Sequence, residues 1–151
     1  MKLIFALLLL LPFNREVRYF PSILYGHILI GSGTSRYETV FTITAGNETR
    51  VAVNLFSDKG DPMNASFVDE GGKSAGAGSS FECYVIPDRP VKIKLALKPE
   101  DAEDDVAVKT GWAMVESPEQ VDITAVVRIT TPDGKLISRH VLGSERPPTG
   151  E

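Results

Sequence analysis

Apolar side chains alternate with polar ones on both sides of a short polar break in residues 38–56. Phe41 and Ile43 fall on one side of an extended chain, and Val51, Val53 and Leu55 repeat the pattern afterwards. This period of two predicts a pair of strands with one buried face each. Gly46 and Asn47 stand at the break, where they tolerate turn dihedrals that β-branched residues resist. A two-stranded unit is marginal by itself, so further strands are expected to pack on it.

The same alternation recurs downstream. Val91, Ile93, Leu95 and Leu97 interleave with Lys92, Lys94, Ala96 and Lys98, giving one apolar and one cationic face. Lysines in this position also guard a sheet edge. Ile123, Ala125, Val127 and Ile129 form another apolar row, and Thr131-Pro-Asp-Gly134 predicts a hairpin into a last strand over residues 136–142. Residues 106–116 are apolar on both faces and carry Trp112, which places that strand centrally with the indole as a core anchor and Gly111 giving the backbone room. Shorter strands are expected at residues 63–68 and 81–86. Residues 18–30 are rich in aromatic and aliphatic side chains but contain Pro21 and Gly26, which predicts a broken strand at a sheet rim. Residues 69–80 have no apolar period and read as a surface loop. The sum is seven to nine short strands and no helix-length amphipathic segment. That pattern argues for an all-β chain folded as an immunoglobulin-like antiparallel β-sandwich, with a jelly roll as the alternative.

Lys2 precedes an uninterrupted apolar run over residues 3–13. A bilayer span needs about 20 residues, so the run suits the apolar region of a secretory signal peptide, although no small-x-small cleavage motif follows it. The expected organisation is a signal peptide and leader at 1–18, one sandwich domain at 19–142, and a flexible tail or linker at 143–151. The 151 residues suit one domain, which can bury a core without metal or disulfide.

The net charge of −4 describes an ordinary soluble surface and supplies no nucleic-acid footprint. Cys83 is the only cysteine, so no internal disulfide forms, and a lone thiol reads first as a small buried apolar group. His27 and His140 are the only histidines, and neither a G-x-S-x-G elbow nor an H-E-x-x-H pair accompanies them. Five carboxylates crowd residues 100–105, without the ordered spacing of a calcium loop; a solvated acidic loop with one helical turn after Pro99 is expected there. Asn47-Glu-Thr49 and Asn64-Ala-Ser66 match the short acceptor pattern for N-glycosylation.

Tyr19-Phe-Pro21, Phe41-Thr-Ile-Thr leading to Gly46-Asn47, Val53-Asn-Leu-Phe-Ser-Asp-Lys-Gly60, Tyr84-Val-Ile-Pro87 and Thr110-Gly-Trp-Ala113 follow one another in order. Together they resemble an exported immunoglobulin-like β-sandwich repeat domain of large secreted proteins of environmental bacteria. The resemblance covers residues 19–141 and rests on packing and turn residues. It implies export, a sandwich fold, no catalytic residues and a structural or adhesive role. The chain departs from it in the long segment 69–80 and at the cleavage site.

The functional expectation is a non-catalytic exported module with a structural or cell-surface interaction role. Its partner would be an unidentified protein or glycan, in a secreted or cell-envelope location, with no nucleic acid, no membrane after signal cleavage, and no catalytic, cofactor or metal residues. One alternative is a carbohydrate- or surface-binding module with Tyr25, Tyr37 or Tyr84 as an aromatic platform. Others are cation-dependent adhesion through Glu100 to Asp105, or a secreted hydrolase using His27 or His140.

Overall fold

The computed structural model describes residues 16–31 and 33–148, so most of the expected signal peptide lies outside the described residues. The chain is all-β and antiparallel, as the alternation predicts. Its strands are β1 (Glu16–Ile30), β2 (Gly33–Ala45), β3 (Thr49–Ser57), β4 (Ala65–Val68), β5 (Ser74–Gly78), β6 (Ser80–Val85), β7 (Val91–Ala96), β8 (Val106–Ser117), β9 (Val121–Thr130) and β10 (Leu136–Val141). Ten strands are present among the described residues rather than seven to nine. The extra count comes from β5, inside the segment read as a loop. Its Ser-Ala-Gly-Ala-Gly residues are almost all exposed, so hydrogen bonding to β4 sustains the strand without an apolar face. The expected helical turn is a single 3-10 turn at Pro99–Asp101.

All ten strands belong to one sheet, running β5-β4-β7-β2-β1-β8-β3-β6, with β9 on β2 and β10 on β9. The two ends of this path are consecutive in the chain. Only Ser79 separates β5 from β6, and its carbonyl accepts the Leu55 N–H at 2.8 Å. The sheet therefore nearly closes on itself like a barrel. Its interior holds Phe20, Ile23 and Tyr25 of β1, Phe41 and Ile43 of β2, Val51, Val53 and Leu55 of β3, Phe67 of β4, and Ile93 and Leu95 of β7.

One strand organises this arrangement. β2 lends a single edge to two partners: β1 pairs with it from Gly33 to Tyr37, and β7 from Thr39 to Ile43. Its other edge takes β9 along Arg36–Ala45. β1 is thus central, lying between β2 and β8, rather than at a rim. Pro21 does not break it, because the ladder to β8 skips from Phe20 to Ile23 and leaves Pro21 and Ser22 in a bulge. Gly26 turns β1 with φ +138° while passing so close to β8 that a Cβ there would meet the Ala107 carbonyl oxygen at 2.0 Å.

β7 is likewise internal, between β2 and β4. Its lysines do not guard an edge; Lys92 pairs with Glu70 at 3.3 Å and Lys94 with Glu38 at 3.5 Å on the outer face. At the other end of the chain, Tyr19 and Ser144 exchange two backbone hydrogen bonds of 2.7 and 2.8 Å, so backbone pairing with the sheet continues past Leu142.

Candidate functional site

The three tyrosines considered as a platform lie on β1, β2 and β6 and do not meet on one face. Tyr25 is buried, and its hydroxyl donates to the Asn64 carbonyl at 2.7 Å. Burial, with the Asp101 charge adding to it, raises its phenol well above the ordinary range. Tyr37 is half-buried, and only Tyr84 is well exposed, at 57%.

The histidines are equally separate. His27 Nε2 lies 2.9 Å from the Asp104 carbonyl oxygen, which can only accept, so the ring donates there. His140 is on exposed β10, opposite Val126. The acidic segment is tied to its surroundings: Lys98 meets Glu100 at 3.0 Å, Lys109 meets Asp101 at 3.0 Å, and the Asp105 carbonyl accepts the Leu29 N–H. Among the described residues no three metal-ligating side chains converge. The segment roofs a cleft of about 420 Å³ in the fork between β1 and β7, lined by Gly26, His27, Tyr37, Leu95 and Leu97.

Trp112 corrects an expectation. On β8, Gly111, Ala113 and Val115 point inward, while Trp112 is half-buried on the outer face. There it stacks on Phe56 of β3, with centroids 4.3 Å apart and planes at 17°, and its centroid lies 6.1 Å from that of Tyr19 on β1. The cluster spans three strands and uses much of its ring area on internal contacts. Gly111 permits the approach of β3, since a Cβ there would sit 2.0 Å from the Phe56 carbonyl oxygen.

The β9–β10 ribbon presents an open surface. β10 pairs only with β9, and Leu136, Ile137, Ser138, Arg139 and His140 are all exposed. Three of the six exposed large apolar side chains among the described residues lie here: Leu136 at 51%, Ile137 at 49% and Leu142 at 82%. The hairpin turn matches its sequence signal, with the Gly134 N–H donating to the Thr131 carbonyl at 2.9 Å and the Thr131 hydroxyl donating to Asp133. The Thr131 hydroxyl, with the Lys135 and Asp133 N–H groups, holds the exposed Asp133 carboxyl below its ordinary range.

No family model matches the sequence, and no curated protein matches it. Among solved structures the chain is similar to one titled Crystal Structure of Thermotoga maritima 1070, with 14% identity and a TM-score of 0.42 over 84% of this chain and 92% of that one.

The sequence places the last strand of this ribbon but not its openness, because residues 136–142 have no clean period of two. Leu136 and Ile137 are adjacent, so they point to opposite faces and a one-sided core cannot take both. That adjacency was the available signal. Cys83 is half-buried on β6, and burial pushes its thiol up to about 11, which suits a packing role.

Proposed function

We propose that the chain is a non-catalytic exported β-sandwich module with a structural or cell-surface interaction role. The observation that carries this reading is the concentration of exposed apolar side chains on and beside β10, an unpaired strand edge that no core covers. Monomeric domains usually shorten, bend or cover such edges, and an open one serves contact with another chain. His27 bonds the Asp104 carbonyl and Lys109 pairs with Asp101, so both side chains serve the local structure around the acidic segment, which favours a role in binding over turnover.

Export follows from the apolar run at residues 3–13 behind Lys2. Cleavage after about Phe13 would leave β1 whole, since it begins at Glu16. The test is to express the full chain in a bacterial host and weigh the intact protein from each cell fraction. A shortened protein outside the cytoplasm is the expected result. Full-length protein retained in the cytoplasm overturns the exported role.

A carbohydrate-binding role is the second reading, favoured by the half-exposed Tyr19, Trp112 and Phe56 on one outer face. Trp112 is the only tryptophan, so its fluorescence reports that face alone. A saturable emission change with soluble cell-surface glycans would support it, and a flat titration would remove it.

A further inference from the structure

We infer that β10 takes an additional strand: an extended segment of another protein in which carboxylates alternate with β-branched apolar residues. This rests on the interaction role proposed above and names the chemistry of the partner.

Backbone groups supply the first argument. Alternate residues of an antiparallel strand turn their N–H and C=O groups away from the neighbour they pair with. β9 occupies one edge of β10, and no backbone bond among the described residues occupies the other between Leu136 and His140. The open stretch is about 17 Å long at the usual rise per residue. The N-terminal half of β1 is closed by Ser144. β5 and β6 also pair on one side only, but neither carries two adjacent exposed large apolar residues as β10 does with Leu136 and Ile137.

Side chains supply the second argument. Ile137 extends an apolar row through Ile129 and Tyr37 on one face, so an incoming strand continues that row with an apolar residue beside Ile137. Leu136 lies on the other face, in a row with Thr130 and Arg36.

Charge selects the partner. Lys135 and Arg139 flank these apolar positions, and residues 134–144 contain no acid. Arg128 stands opposite Ser138 on β9, so a glutamate added beside Ser138 reaches it across a small side chain. Neither Arg128 nor Arg139 makes an ion pair among the described residues, whereas Glu38, the nearest acid across the sheet, is held by Lys94. A second copy of β10 would instead bring its own cations against these, which opposes self-pairing.

The test uses the protein as isolated from expressing cells and two fluorescent peptides as long as the free edge, one alternating Glu with Val and the other Lys with Val. The Glu peptide should bind at least about tenfold more tightly at low salt, weaken as salt rises, and slow amide exchange at residues 136–140. Arg128→Glu, on the face where the peptide's glutamate meets Ser138, should reverse the preference while leaving the circular dichroism spectrum unchanged. The Thr131–Lys135 backbone bond sets the alternation that turns the Ser138 N–H away from β9, so Ser138→Pro, which removes that donor, should weaken both peptides. Equal binding of the two peptides, binding without protection of residues 136–140, or no binding overturns the inference. Protection that rises with protein concentration alone would assign the edge to a second copy and overturn it too. Cytoplasmic retention would defeat the exported role while leaving these binding results as they stand.

Discussion

The Thr39 hydroxyl accepts the Leu24 N–H at 3.0 Å and donates to the Leu24 carbonyl at 2.7 Å, so one side chain satisfies both backbone groups of a residue on the neighbouring strand. Thr39 is fully buried at the fork where β1 leaves the edge of β2 and β7 takes its place. Without it, a polar peptide unit would face the core unpaired. Thr39→Val keeps the shape and removes both bonds. It should lower stability by about 2–3 kcal/mol, and Thr39→Ser should restore most of the loss; urea unfolding of the three proteins decides this.

Two glycines mark the closest backbone approaches. Gly26→Ala and Gly111→Ala each place a methyl group 2.0 Å from a carbonyl oxygen of an adjacent strand. Each should cost more than about 4 kcal/mol or abolish folding. Gly46→Ala, at a turn with nothing within 4 Å, should stay within about 0.5 kcal/mol of the parent. Thermal melts of the three variants test the contrast.

The outer aromatic cluster and the interior should differ in weight. Phe56→Ala removes a half-buried ring stacked on Trp112 and should cost about 1–2 kcal/mol. It should also change the near-ultraviolet circular dichroism of the only indole. Phe41→Ala empties a fully buried site and should cost about 3–5 kcal/mol. Equal losses in denaturant would return Trp112 and Phe56 to the core.

Alkaline pH should destabilise the fold. Tyr25 and Cys83 are held neutral by burial, the thiol being raised from 9.0 to about 11. A group raised on folding contributes stability that is complete below its unfolded value and lost as pH climbs toward its folded value. The urea midpoint should therefore hold to about pH 9 and fall above it. A Tyr25→Phe, Cys83→Ala double variant should show a flatter decline between pH 9 and 11.

The alternation in residues 41–55 and 91–97 was enough to name Phe41, Ile43, Val51, Val53, Leu55, Ile93 and Leu95 as interior, and all are buried or nearly so. The hairpin at Thr131-Pro-Asp-Gly134 was equally legible, because its turn chemistry is local. Trp112 was not, since residues 106–116 are apolar at both parities and periodicity cannot choose which set faces inward. Packing chose the smaller Gly111, Ala113 and Val115, which let β3 and β8 approach.

Sequence alone thus determined the all-β class, most of the core and the turns, because each depends on side chains within a few residues of one another. Tertiary structure decided that β2 serves two partners on one edge, that β1 is central despite Pro21, that a glycine-rich stretch becomes β5, and that β10 is left open. Those outcomes depend on which distant strands compete for the same backbone hydrogen bonds, and a strand's own residues do not encode its neighbours.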